Sequence, residues 1–425
     1  MKEADMALKI VYPVCCGIDV HKSSVVACIA ATDDKGVTRY KNRTYRTFTK
    51  DLRELAAWLR ENNCRDVCME STGKYWIPVF NVLEVSCNVI LSHPKYVKSI
   101  YGKKTDNNDA KWIADLFKHN LVQSSFIPPP VIRQLRDLVR YRFKLNSGIV
   151  SEKNRAQNCL TVSNIKLDDV FTDVSGKSAS AIIDQLLIHP DGNFDVSPHV
   201  DPRCKSSIEN IQDAVDGLIC SEQVHKLHII RSHANSLEGY KRELESFIFS
   251  LAEQFRPQLE LIMSVPGIQL ISAITIISEI GVDMSVFPSS KHLCSWAGLA
   301  PQNNESAGKK KTTRISRAGA YIKPLLVQCA LSVCNSDNHP EIKTRYLMLK
   351  KRRGHKKAII AICRMLLTAI FCILKKSEPY NPDLYRKEVF FPVPSPDNSL
   401  SVTQAIALIR QNGFSVIDPD GVLLN

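Results

Sequence analysis

Short apolar runs separated by turn signals open the chain. Val14–Val20, Ser24–Ala31 and Val37–Phe48 are rich in β-branched, aromatic and small apolar residues, and Asp33-Asp34-Lys35-Gly36 supplies a turn between the last two. The pattern predicts three neighbouring antiparallel strands. From Thr49 to Asn62 the period becomes helical, with Leu52, Leu55 and Leu59 on one face. A strand from Arg65 to Glu70, a helix near Tyr75 to Val85 and a strand from Asn88 to Ser92 follow. Strands alternating with helices predict an α/β layered domain.

At Pro128-Pro-Pro130 the character changes. Val131 to about Leu160 reads as a basic helix carrying Arg133, Arg136, Arg140, Arg142, Lys144 and Arg155, whereas residues 166–220 are weakly patterned. Ser221 to Phe255 reads as one long helix, with Val224, Leu227, Ile230, Leu237, Leu244, Phe247 and Leu251 near heptad spacing, which predicts a coiled coil and dimerisation through it. Pro257 stops that helix, and an all-helical segment is expected up to about Lys376. The expected division is an α/β domain over 10–128, a helical spacer or coiled coil over 129–256, an all-α domain over 257–376 and a tail of unassigned role over 377–425. The longest apolar stretch, Ala358 to Leu374, contains Arg364 and is flanked by lysines, so it reads as a buried helix rather than a membrane span.

Charge sharpens this outline. Lys and Arg number 56 against 43 Asp and Glu, a formal charge of +13. Between Lys309 and Lys357 there are fourteen Lys/Arg against only Asp337 and Glu341, so one segment carries nearly the whole surplus. Such concentration points to a polyanion, with nucleic acid the first candidate. Most of the fourteen cysteines sit inside apolar runs, among them Cys28, Cys220, Cys329, Cys363 and Cys372, and are expected to be small buried hydrophobes. No paired CxxC motif and no secretory signal are present, which predicts a reducing cytoplasm and no structural zinc.

Asp19 ends the first strand, and Glu70 ends the strand Val67-Cys-Met-Glu70, so both project from one edge of the expected sheet. Asp106 and Asp109 open a helix, and their three-residue spacing puts both carboxylates on one face. Four converging acids repel one another unless a cation neutralises them, and oxygen-only donors suit Mg²⁺ or Mn²⁺. The competing reading makes Asp106 a helix cap, Asp19 a turn residue and Glu70 a surface acid.

Ser306 is the centre of a second cluster. Gly298 to Gly319 reads as a polar loop in which Lys309, Lys310, Lys311, Arg314 and Arg317 surround the serine and could neutralise a phosphate. Ser306 is then either a nucleophile or a hydroxyl that binds phosphate, and the residues alone leave both open. Upstream, Val265-Pro-Gly267 resembles the hairpin of a helix-hairpin-helix motif, with a packing hairpin as the alternative, because Gln269 replaces the usual second glycine. Downstream, Lys350, Lys351, Arg352, Arg353, Lys356 and Lys357 suit backbone phosphates.

Gly17-Ile-Asp-Val-His-Lys22, Glu70-Ser-Thr-Gly73, Lys104-Thr-Asp106 with Asp109-Ala110, Val265-Pro-Gly267, Gly298-Leu-Ala-Pro301 and Ser306-Ala-Gly308 occur in the order and spacing of one family. From about residue 14 to 376 the chain closely resembles the DEDD transposases of IS110-type insertion sequences. The resemblance implies a RuvC-like, ribonuclease-H-type N-terminal domain with Asp19, Glu70, Asp106 and Asp109 as metal ligands, and a C-terminal transposase domain with Ser306 at the nucleophile position. It also implies donor and target DNA as substrates, a structured noncoding bridge RNA as guide, and a homo-oligomer in which dimers assemble to a tetramer. In that picture Ser306 attacks a DNA phosphate and a second strand's hydroxyl reverses the step; the protein works in the cytoplasm, on the nucleoid, with no membrane partner. The rival readings are a DEDD junction resolvase or nuclease that uses water, and an inactive nucleic-acid-binding scaffold.

Overall fold

The computed structural model describes residues 8–71, 73–93, 106–301, 304–306, 309–312 and 314–383, together with 406, 409–411, 413 and 415. Contacts divide the chain into two units, Met1–Pro129 and Pro130–Asn425.

In the first unit β1 (Val14–Val20), β2 (Ser24–Thr32) and β3 (Thr38–Arg46) form an antiparallel meander. On the other side of β1, β4 (Asp66–Glu70) and β5 (Asn88–Ser92) pair in parallel. The order is β3-β2-β1-β4-β5, and β2 runs against the other four. This is the arrangement of the ribonuclease-H-type, RuvC-like fold that the resemblance implied. Central β1 is covered on both faces, which is why it reads as a nearly unbroken apolar run. Outer β3 leaves most of its residues in water and is correspondingly polar.

Helices α1 (Thr49–Glu61) and α2 (Trp76–Leu83) cover one face, where Ile18, Ala27, Val67, Met69 and Leu91 meet Leu52, Leu55, Leu59, Val79 and Leu83. Each fully buried leucine there contributes roughly 1.5–3 kcal/mol. Asp51 suits the positive N-terminal end of α1 and accepts from Arg46 Nε at 3.2 Å. The helix stops at Asn62-Asn63, where Asn63 turns left-handed with φ 53°. Helix α3 (Asp106–Lys118) covers the opposite face. Its later turns, with Ile113, Ala114 and Phe117, lie on Cys15, Ala30 and Cys68, and Ala110 lies on Val26 and Cys28. The helix therefore runs against β1, and its N-terminus comes to the edge where β1 and β4 end.

In the second unit α4 (Pro130–Val162) packs along α8 (Ser221–Ala252) in antiparallel fashion, tied by Arg142–Glu245 at 2.6 Å and His233–Glu152 at 3.1 Å. The apolar stripe of α8 is thus filled by α4 of the same chain. Its register also differs from the heptad reading: Ile248 is buried, whereas Phe247 is 62% exposed. Residues 166–220 are not shapeless either. Helices α5 (Leu167–Val170), α6 (Lys177–Ile188) and α7 (Ile208–Ala214) close a small core of Leu167, Ile182, Leu186, Ile211 and Val215 over Leu160, Leu227 and Ile230. Those apolar residues are spread over short helices and loops, so no period announces them.

After a 3-10 turn at Glu253–Phe255 the chain restarts as α9 (Arg256–Met263), with Pro257 inside its first turn, and continues as α10 (Leu270–Ile280) and α11 (Ser290–Trp296). A hairpin of β6 (Asn304–Ser306) and β7 (Lys309–Thr312) precedes α12 (Ile322–Asn335), α13 (Pro340–Arg353) and α14 (His355–Lys376). The all-helical expectation for this region is therefore corrected by one hairpin. By length and composition α14 could cross a membrane. In the structure Ile362, Cys363, Leu366, Leu367 and Ile370 are buried, and α14 packs against α9, α11, α12 and α13 as a core helix.

All fourteen cysteines are free, and most are buried. Cys220 and Cys372 depart from the expectation and are exposed. Cys220 immediately precedes α8, and Cys372 lies on a wet position of the last turns of α14; an apolar neighbourhood in sequence does not fix the face a residue takes.

Candidate active site and nucleic-acid interface

Asp19 and Glu70 each follow the paired residues Ile18 and Met69 of parallel β1 and β4 by one position. They are consequently neighbours at the carboxyl edge of the sheet, on the face that α3 covers. Asp19 is buried at 7% exposure, and its Oδ2 lies 3.1 Å from His21 Nε2. Glu70 and Asp109 are half-buried. Asp106 is the first residue of α3, with its side chain outside the described residues. Among the described residues no three metal-binding side chains converge, so the described part of the site is a pair of adjacent strand-end acids approached by the helix that carries Asp109.

The approach of α3 depends on Gly17. A Cβ there would come within 2.2 Å of the Ala110 carbonyl oxygen and 2.3 Å of the Ala114 nitrogen. Only a residue without a side chain lets the helix lie this low, two positions before Asp19 and beside Asp109. Beside Glu70 stands a residue that sequence reasoning missed. Ser92 pairs with Glu70 across the β4–β5 ladder, is 0% exposed, and its Oγ has no hydrogen-bond partner among the described residues. A polar residue ending the run Val89-Ile-Leu-Ser92 was the available signal.

The oxygen-only donor set fits a divalent cation chemically: one acid is almost buried, a second lies on the adjacent strand, and an orphaned hydroxyl adjoins the second.

Ser306 closes β6, paired with Lys309 of β7, and Glu305 pairs with Lys310. The side chains of Ser306, Lys309, Lys310 and Lys311 lie outside the described residues. The segment expected as a polar loop is a hairpin whose ladder continues in the Pro301–Ile315 bridge. At its base Gly298 and Gly319 have φ 68° and 69°, and a Cβ on either would strike the backbone of Ala318 or Ala297 at 2.4 and 2.2 Å. The two stems are so pinned together, and Lys323 Nζ donates to the Ser316 carbonyl at 2.7 Å to brace them. Arg314 and Arg317 are exposed.

The basic helix α4 has a structural role. Arg136 donates to the carbonyls of Ser278 and Glu279, both at 2.8 Å, at the end of α10, and Arg140 holds the Glu279 carboxylate with two bonds of 2.8 Å. Burial pulls the Arg136 guanidinium down to about 10. Arg140 also stacks over Tyr321, 4.6 Å from its centroid. These cations are spent inside the fold. Lys350, Lys351, Arg352 and Arg353 at the end of α13, and Lys356 and Lys357 in the first turn of α14, are all exposed. The last two face the positive end of α14, so a bound anion would relieve them. At the third candidate contact, a Cβ on Gly267 would meet Val333 Cγ2 at 2.3 Å. The Val265-Pro-Gly267 turn thus packs on α12, as the packing alternative required.

Residues 16–165 match the profile of a DEDD transposase of the IS110 type, and residues 259–347 match that of the transposase IS116/IS110/IS902 family. The chain is 24% identical to an insertion element IS110 protein of Streptomyces coelicolor over 65% of its own length and 72% of the relative's. It is 22% identical to the pilin gene-inverting protein of Moraxella bovis over 87% of its length and 98% of the relative's. Among solved structures, Thermus thermophilus RuvC aligns with 13% identity and a TM-score of 0.22, covering 26% of this chain and 99% of that one. A Fowlpox virus resolvase, solved with Holliday junction DNA, aligns with 17% identity and a TM-score of 0.17 over 24% and 72%. With both profiles in chain order and relatives that are insertion-element proteins, this chain belongs to the IS110 family of DEDD transposases.

Proposed function

We propose that this transposase cuts and rejoins DNA with Ser306 as nucleophile and with Asp19, Glu70, Asp106 and Asp109 as ligands for Mg²⁺ or Mn²⁺. The reading rests above all on Asp19 and Glu70 at adjacent strand ends, beneath the end of α3 that carries the other two acids. A divalent cation there would supply Lewis-acid stabilisation to the attacking and departing oxygens of a phosphodiester. Ser306 loses its proton as Oγ bonds to phosphorus, and the departing strand gains one as its P–O bond breaks. A hydroxyl of the partner strand then reverses the exchange, so the number of phosphoester bonds is conserved without an external energy source. Lys309, Lys310, Lys311, Arg314 and Arg317 would neutralise charge on the phosphoryl oxygens. Lys350, Lys351, Arg352, Arg353, Lys356 and Lys357 would hold backbone phosphates.

Donor and target DNA are the proposed substrates, consistent with the pilin gene-inverting relative. A bridge RNA supplying sequence recognition suits a chain of charge +13 in which Arg136, Arg140 and Arg142 of the basic helix α4 are occupied internally. A homo-oligomer, dimer or tetramer, in the cytoplasm completes the reading.

The test combines purified protein, RNA transcribed from the flanking noncoding DNA, Mg²⁺ and donor and target duplexes. Recombinant product and protein-linked DNA are expected for the wild type, and neither for Ser306→Ala or Asp19→Asn. Cleavage that survives Ser306→Ala but not Asp19→Asn would instead mean a water-using nuclease, and no reaction with any guide would mean an inactive scaffold.

A further inference from the structure

We propose that Ser92 is a positioning residue for Glu70, donating a hydrogen bond to its carboxylate when the acid turns inward to hold a cation. The inference rests on the cation reading above and adds a residue to it. Ser92 and Glu70 occupy one rung of the parallel β4–β5 ladder, so their side chains leave the same face of the sheet. Alternation fixes that face: Leu91 belongs to the core under α1 and α2, whereas Ile90 packs with α3. Neighbouring strands are about 4.8 Å apart, a gap that a glutamate side chain spans easily.

The backbone of Ser92 is held from both sides. Its carbonyl accepts from Ser71 N at 2.9 Å, the residue bridges to Ser124, and Ser125 N donates to the Leu91 carbonyl at 2.7 Å. The hydroxyl thus stands on an anchored backbone, 0% exposed and unable to reach bulk water, yet it bonds to nothing among the described residues. Buried hydroxyls without partners are rare because each loses its hydration uncompensated. Alanine would fill the position as a plain packing residue. A donor here gains an acceptor only if an oxygen arrives, and the carboxylate on the same rung supplies one. Bonding one Glu70 oxygen would fix the rotation of the carboxylate and present the other toward Asp19, as outer-shell donors do around ligating carboxylates.

Calorimetric Mn²⁺ titration and thermal melting in chelator, on the full chain, separate the outcomes. Ser92→Ala should melt in chelator at or above the wild-type temperature and bind Mn²⁺ about tenfold more weakly or worse, while Asp19→Asn abolishes binding. Unchanged Mn²⁺ affinity in Ser92→Ala, with Asp19→Asn still abolishing it, would remove the role of Ser92 and leave the cation site standing. Weaker binding matched by a lower melting temperature in chelator would mark Ser92 as packing only. Wild-type protein that binds no Mn²⁺, or Asp19→Asn that binds like wild type, would overturn the cation reading and this inference with it.

Discussion

Gly17 of β1 and Ala114 of α3 approach so closely that a Cβ on the glycine would lie 2.3 Å from the Ala114 nitrogen. This close approach sets the height of α3 over the sheet, and with it the distance from Asp109 to the strand-end acids. Gly17→Ala must push the helix outward, because the opposing atoms are backbone and cannot rotate away. A loss of about 2–3 kcal/mol in denaturant unfolding is expected, together with weakened Mn²⁺ binding. Wild-type stability in this variant would mean that α3 does not rest on β1.

Glu279 accepts two bonds from Arg140, while the Glu279 carbonyl accepts from Arg136. Glu279→Ala strands a partly buried guanidinium and should cost about 2 kcal/mol in equilibrium unfolding of the full chain. Lys144→Ala on the same helix, an exposed cation, should change stability little. Equal effects from both would contradict the division between structural and free cations along α4.

Much of this architecture is legible in the sequence because its signals are periodic. The strands of the first unit, α1, α4 and α8 follow from alternation or helical spacing, and Asp19 and Glu70 follow from their position at strand ends. Ser306 and the lysines after it are legible as a cluster but not as a hairpin, since Lys309–Thr312 has no apolar alternation to announce a strand. Ser92 escapes because its significance lies in a rung shared with Glu70, a long-range pairing that no local pattern encodes. The internal partners of the α4 arginines escape for a similar reason, lying at residues 245 and 278–279.

Burial pushes the thiols of Cys15, Cys64, Cys68 and Cys363 up to about 12 and that of Cys28 up to about 11. A thiol raised on folding leaves the unfolded chain with fewer bound protons once pH exceeds the ordinary thiol value of about 8.5–9. Its contribution to stability is fully present below that pH and is lost as pH climbs through the folded value. Melting temperature should therefore fall progressively from about pH 9 toward 12, and Cys68→Ala should flatten part of that slope. In native protein at pH 8 a thiol reagent should label exposed Cys220 and Cys372 first, and the buried thiols only after unfolding.

Lys350, Lys351, Arg352 and Arg353 are exposed at the end of α13, with Lys350 Nζ 5.8 Å from the Tyr346 ring centroid. Changing all four to Gln should leave the melting temperature nearly unchanged and weaken duplex binding at every sequence tested. The slope of log affinity against log salt should shrink by roughly 0.9 for each phosphate that the four side chains no longer neutralise. An unaltered slope would take this corner out of the nucleic-acid interface.

Adjacent residues Phe247 and Ile248 distinguish the seam of α8 from its wet face. Ile248 is 0% exposed, in a helix that packs along α4, whereas Phe247 is 62% exposed despite being the larger hydrophobe. Ile248→Ala should therefore cost about 2–5 kcal/mol, because the vacated volume cannot be refilled without moving a helix. Phe247→Ala, which empties nothing, should stay within about 0.5 kcal/mol in dilute protein. Paired denaturation curves decide the register: if Phe247→Ala is the costly substitution, the heptad reading of the sequence is right and the helix is rotated by one residue relative to the structure.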